Sequence, residues 1–159
     1  MSLRKLTRVL RGRPEMVARL LLVAEETSLD SVVAPEDVYA IVAPLLVGKT
    51  CENLVVVALN KRRHLLNAEI LTVGSDAFTI VDPRQIFRWA LMQGPSGASA
   101  IVLAHNHPSG DPTPSAQDKD VTKRISSAGR VLGIQLIDHI VVGGTSFVSL
   151  AERGELPSY

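Results

Sequence analysis

The 159-residue sequence predicts an α/β chain of the α+β kind, a mixed, largely antiparallel sheet flanked by helices. Three observations carry this. The run Leu54 to Leu59 is unbroken, apolar and rich in valine, as expected of a strand buried on both faces. Elsewhere apolar residues recur at helical spacing, as in Val38, Ile41, Val42 and Leu45. Most neighbouring strand-like stretches are joined by short turns, which favours antiparallel pairing in one layer covered by helices. The length suits a single domain with a proper core.

Val17, Leu20, Leu21 and Ala24 fall at i, i+3, i+4 and i+7, so residues 1–34 read as an N-terminal helical segment ahead of a main domain at 35–159. Arg4, Lys5, Arg8, Arg11 and Arg13 crowd at its start and read as a solvated face. Thr27 to Ser31 break the pattern. Pro35 suits a first helical position, with Glu36 and Asp37 placed where acids favour the helix dipole. Pro44 should tighten that helix's end and Gly48 stop it. After the strand Leu54 to Leu59, the charged turn Asn60-Lys61-Arg62-Arg63 leads into a returning strand, Leu65 to Val73, which ends at Gly74-Ser75-Asp76. Asp82-Pro83 is a cap followed by a first-turn proline. Ile86, Phe87, Ala90 and Leu91 give that helix an apolar face, and Gly94-Pro95 ends it.

A buried strand, Ala100 to Ala104, leads into His105-Asn106-His107 and the loop Pro108 to Pro114. A helix opens at Ser115, presents Val121, Ile125, Ala128 and Leu132 on one side, and meets a capping glycine at Gly133. Ile134 to Val142 is a strand, Gly143-Gly144 a hairpin turn, and Thr145 to Ser149 the closing strand.

Composition narrows the function. Seventeen basic and sixteen acidic side chains leave a net charge of +1, and the pI is about 8.0. That is not the balance of a dedicated nucleic-acid binder, so a nucleic-acid partner is not favoured. Mean hydropathy is +0.20, yet no run of about 18 apolar residues marks a membrane span. No signal-peptide core follows Met1 to Lys5. A single cysteine, Cys51, excludes an internal disulfide framework and fits a reducing cytoplasm. A homodimer stays open.

The chemistry gathers after Ala104. Residues two apart on a strand share a face, so His105 and His107 can aim at one point just past the strand end. The Pro/Gly loop can fold back and bring Asp118, from the first turn of the next helix, to the same point. Two neutral imidazoles and a carboxylate make a three-ligand zinc site with an open fourth position, the catalytic rather than the structural arrangement. Ser115 and Asp118 also form the capping pattern S-x-x-D, which explains those two residues but not the histidines. Zinc brings water to a pKa of about 7, and a general base must then carry the proton. The H-E-x-x-H motif that would supply such a base is absent.

His105-Asn106-His107-Pro108, six further residues, then Ser115 and Asp118 resemble the motif of the MPN/JAMM metalloprotease family. His-Asn-His-Pro-Ser-Gly-Asp and the later Asp138-His139 resemble its bacterial RadC-like members. The resemblance covers residues 35 to 152. It implies a cytidine-deaminase-like MPN/JAMM fold and one zinc per chain held by His105, His107 and Asp118. It further implies that Ser115 helps hold an oxyanion and that a glutamate at the start of the first core strand is the base. Glu52 holds that place. Glu69 is a rival, also upstream on a strand, and periodicity alone does not separate the two. The implied activity is metallopeptidase or isopeptidase cleavage of a peptide, isopeptide or protein substrate.

His139 reads as a buried histidine pairing with backbone or with Asp138, either purely structural or supporting the ligands, and not a ligand itself. His64 reads as a turn residue, Cys51 as a small buried thiol, and Asn106 as an amide bracing the loop. Full-length RadC proteins carry an additional N-terminal helix-hairpin-helix-like unit, for which the first 34 residues are too few. The alternatives are a non-catalytic DNA-repair-associated module and a zinc-bearing scaffold.

Overall fold

The valine-rich run sits within the sheet, with a strand on either side. The computed structural model describes residues 31–74 and 81–157. Among these, three helices and five strands follow in the order α1 (Pro35–Leu46), β1 (Glu52–Leu59), β2 (Leu65–Gly74), α2 (Pro83–Leu91), β3 (Ala100–Asn106), α3 (Ala116–Leu132), β4 (Gln135–Gly143) and β5 (Ser146–Ser149). The helix expected around Val17 to Ala24 lies outside the described residues. The sheet order is β2-β1-β3-β4-β5. β1 pairs antiparallel with β2 and β3, β4 pairs antiparallel with β5, and β3 runs parallel to β4. The sheet is therefore mixed and largely antiparallel, and the domain is α+β. The parallel step follows from α3, which carries the chain back to the starting edge of β3 before β4 begins.

Alternation along β1 and β3 sorts the core into two layers. Val55, Val57, Leu59, Val102 and Ala104 pack with Val38, Ile41 and Val42 of α1 on one face. Leu54, Val56, Ala58, Ile101 and Leu103 pack with Ile86 and Phe87 of α2 and Val121 and Ile125 of α3 on the other. A strand covered on both faces needs no polar residue along its length, which is why Leu54–Leu59 reads as continuous.

The helix ends use the residues expected from sequence. Asp82 accepts the Arg84 N–H at 2.9 Å, and Gly133 takes the left-handed conformation (φ +68°) that caps α3. Ala34, at the start of α1, has no capping side chain. Asp37 serves instead, its Oδ2 accepting the N–H groups of Val33 and Ala34 at 2.8 and 2.9 Å. Pro44 lies inside α1, and the helix continues to Leu46 before Gly48 turns the chain.

Between Ile101 and Val102 the β3–β4 register slips: Ile101 faces Leu136, whereas Val102 faces Asp138 and Leu103 faces His139. The extra residue inverts the alternation of β4. Leu136 and His139 consequently share the α2/α3 face of the sheet, while Ile140 joins the α1 face. Asp138 holds the irregular stretch: Oδ1 accepts the N–H groups of His139 and Ala151, and Oδ2 accepts the Ser149 hydroxyl at 2.6 Å.

Candidate metal centre

β3 ends where the α2/α3 layer opens. His105 lies opposite Leu54 on that face. His107 follows one residue past the strand, and its N–H still reaches the Val142 carbonyl at 2.8 Å. The loop then returns to α3, whose first turn places Asp118, fully buried, against both rings.

His105 Nε2 lies 3.0 Å from His107 Nε2. Asp118 Oδ1 is 3.1 Å from His105 Nε2, and Oδ2 is 3.5 Å from His107 Nε2. Each residue offers one ligand atom, all within 4.8 Å of one another, so the three could hold a metal ion. Two details fit a cation here. His107 Nδ1 is 2.7 Å from the Asp111 carbonyl; a carbonyl only accepts, so that nitrogen carries the hydrogen and a neutral ring leaves Nε2 bare toward the centre. Asp118 Oδ1 is buried and makes no well-directed hydrogen bond. A buried carboxylate oxygen without a donor is costly unless a cation or a proton meets it.

The other oxygen of Asp118 is held firmly. Oδ2 accepts the Ser115 N–H at 2.6 Å and the Ser115 hydroxyl at 2.7 Å, while the Asp118 N–H donates to Ser115 Oγ at 3.1 Å. Burial alone would raise the carboxyl's pKa. The neighbouring His105, with the two Ser115 donors, outweighs it and holds Asp118 well below the usual carboxylate range. It is an anion throughout the physiological range. The only Ser115 hydroxyl proton points at Asp118, so this hydroxyl orients the carboxylate. To serve an oxyanion, it would have to swing away.

Continuing the Leu54–His105 pairing by two residues sets Glu52 across from His107, at the ligand end of the sheet. Its Oε2 is buried and has no hydrogen-bond partner among the described residues. Glu69 lies opposite Val56, further from that end and on the outer strand. Its Oε2 accepts the Trp89 indole N–H at 2.8 Å.

Asn106 braces a different element from the one expected. Its Oδ1 accepts the Asn53 N–H at 2.9 Å and its Nδ2 donates to the Cys51 carbonyl at 3.0 Å. The amide thereby clamps β1 on both sides of Glu52, not the loop after His107. Alternation along β3 turns Asn106 to the face opposite the histidines, but sequence alone does not show which backbone waits there.

His139 sits behind His105, brought to that face by the register slip, and its ring does not pair with Asp138. Its Nε2 is 2.9 Å from His105 Nδ1 and its Nδ1 is 2.6 Å from Thr122 Oγ1. Full burial, then the neighbouring His105, depress its pKa well below the ordinary histidine value, partly opposed by Asp118. Thr122 was missed from sequence; its position one turn after Asp118 on the same helix was the available signal. His64 lies in the turn after Asn60, its N–H held by Asn60 Oδ1 at 3.1 Å, and Cys51 is a free thiol that is half-buried rather than buried, because it precedes the covered stretch of β1.

The family profile described as RadC-like JAB domain matches residues 32–155. A UPF0758 protein of Shouchella clausii is 44% identical over 121 residues, covering 76% of this chain and 51% of its own length. One from Desulfitobacterium hafniense is 39% identical over 147 residues, covering 89% of this chain and 63% of its own length. The Methanosarcina acetivorans protein of that name is 35% identical over 140 residues, covering 88% and 59%. The chain thus spans about half to three fifths of the curated relatives it matches. Among the described residues no helix is long and apolar enough to cross a membrane.

Proposed function

The chain belongs to the RadC-like JAB-domain family, and from that premise we propose that it is a zinc-dependent hydrolase of amide bonds, a metallopeptidase or isopeptidase. The observation that carries this is the convergence of two imidazole Nε2 atoms and the bare Oδ1 of Asp118 at a strand end, with Glu52, whose Oε2 is buried and without a hydrogen-bond partner among the described residues, set across from His107 by the strand register.

His105, His107 and Asp118 would hold the zinc through the two Nε2 atoms and Oδ1; His105 Nε2 lies 3.0 Å from His107 Nε2 and 3.1 Å from Asp118 Oδ1. The chemistry that zinc supplies there is Lewis acidity, which brings the pKa of water near 7 and polarises a carbonyl. Glu52 accepts a proton from the attacking water at Oε2 and passes it to the leaving nitrogen as the C–N bond breaks and the C–O bond forms. Glu52 is favoured over Glu69 because the Trp89 indole occupies the Glu69 carboxylate. Ser115 holds Asp118 in place and, once its hydroxyl turns, supports the developing oxyanion. The substrate is a peptide, isopeptide or protein, and the working compartment is the reducing cytoplasm that a lone thiol suits.

The purified protein should carry about one zinc per chain, as expected of one three-ligand site. Glu52→Gln should keep the zinc and the melting temperature but lower peptide or isopeptide turnover by roughly two to four orders of magnitude. Glu69→Gln should leave turnover within a few-fold. A dead Glu69→Gln beside an active Glu52→Gln moves the base to β2. Wild-type protein that holds zinc but cleaves nothing across a broad peptide library is a scaffold.

A further inference from the structure

Behind the ligands, four groups form one hydrogen-bonded chain that starts and ends on the ligand residues themselves. The Thr122 hydroxyl donates to the Asp118 carbonyl at 2.6 Å. Thr122 Oγ1 is also 2.6 Å from His139 Nδ1, and His139 Nε2 is 2.9 Å from His105 Nδ1. His139 is 0% exposed and Thr122 is 0% exposed, so bulk solvent reaches neither group.

Counting hydrogens gives the chain one direction. A hydroxyl has a single proton, and a carbonyl can only accept, so the proton of Thr122 is spent on Asp118. Thr122 can then only accept from His139, which puts the His139 hydrogen on Nδ1. A neutral imidazole carries one such hydrogen, so His139 Nε2 is bare and accepts from His105 Nδ1–H. His105 Nε2, the atom facing His107 and Asp118, is left bare in turn. The register slip in β4 is what brings His139 to this face.

We infer that His139 and Thr122 are positioning residues that set the tautomer of His105, presenting its Nε2 lone pair to the metal. This rests on the metal reading of the cradle and adds two residues and a hydrogen direction to it. Orienting partners behind metal-binding histidines are worth roughly 10–100-fold in metal affinity. A role in packing alone would require the volume of these side chains but not the direction of their hydrogens.

Thr122→Val separates the two roles because valine has nearly the shape of threonine without its hydroxyl. The His139 Nδ1–H would then face a methyl group as an unsatisfied buried donor. The ring escapes this by carrying its hydrogen on Nε2, which donates to His105 Nδ1 and forces the His105 hydrogen onto Nε2, where it blocks the metal. Zinc affinity of Thr122→Val, measured by competition with a chelating dye, should fall by roughly 10–100-fold. Thr122→Ser should stay within a few-fold of wild type.

Nitrogen-15 NMR of the histidine rings, on metal-free and zinc-loaded protein, reads the hydrogens directly. Wild type and Thr122→Ser should show His139 as the Nδ1–H tautomer, with a coupling across its hydrogen bond to His105. Thr122→Val should show the hydrogen on Nε2. Wild-type His139 with its hydrogen on Nε2 overturns the inference, as does a folded Thr122→Val with wild-type zinc affinity. If wild type takes up no zinc, the metal reading fails, while the signals of the metal-free protein still decide the direction of the chain. If Thr122→Val does not fold, the wild-type and Thr122→Ser signals decide it.

Discussion

Asp118 divides its carboxylate. Oδ2 is held by the N–H and hydroxyl of Ser115, while Oδ1 faces His105 Nε2. The capping box and the ligand role are therefore the same arrangement seen from two sides: the cap points one oxygen at the helix start and frees the other. Asp118→Asn keeps the shape but removes the anionic charge. Ser115→Ala removes a cap worth about 1 kcal/mol and one of the two donors. Zinc affinity by competition titration should therefore fall far more in Asp118→Asn than in Ser115→Ala, with a lowered melting temperature as the main effect of the latter. Equal zinc loss in the two would mean that the loop and helix start merely scaffold the histidines.

At the scale of elements, the site depends on how closely the Pro108 to Pro114 loop can lie on the end of β4. Gly143 makes that approach possible. A Cβ there would meet Pro112 N at 2.5 Å, the Gly110 carbonyl oxygen at 2.6 Å and the Asp111 carbonyl carbon at 2.7 Å, all backbone. The displaced peptide would include the carbonyl that orients His107. Gly143→Ala should lower both the melting temperature and the zinc affinity, the latter by roughly 10-fold or more, the usual worth of an orienting partner. Thermal melts with and without zinc check this, since the zinc-dependent rise in melting temperature should shrink as well. An unchanged rise would show that the Asp111 contact does not matter to the metal. β1 is tied to the same end by the Asn106 clamp, which joins the strands carrying Glu52 and the histidines.

Over the whole molecule, the buried His139 couples stability to pH. Its folded pKa is depressed, chiefly by burial, below the ordinary 6.5. The unfolded chain therefore binds a proton that the folded chain refuses. Stability is fully present above about pH 6.5 and falls as the solution is acidified below it, at up to about 1.4 kcal/mol per pH unit for this one group. Asp118, also depressed, extends the loss below the ordinary carboxylate value. Urea unfolding midpoints in the presence of chelator, from about pH 8 to pH 5, should decline on the acid side. A rise on acidification would show His139 charged in the folded protein.

Local pattern determined a great deal. Continuous apolar runs specify strands covered on both faces, 3.6-residue stripes specify helices, and Asp82, Ser115 and Gly133 mark their ends through bonds to residues only a few positions away. His105 and His107 share a face for the same local reason, and a short loop limits where Asp118 can go. Three matters were decided only by the tertiary structure. Strict alternation from Leu136 would turn His139 away from the ligands, and the slip against β3 reverses it. Asn106 finds its partners at Cys51 and Asn53, more than fifty residues earlier. Glu52 and Glu69 part company because Trp89, on α2, claims one of them. Alternation and capping are set by neighbours along the chain. Register and side-chain partnership across strands are set by which distant pairings bury the most apolar surface while leaving the fewest polar groups unmet.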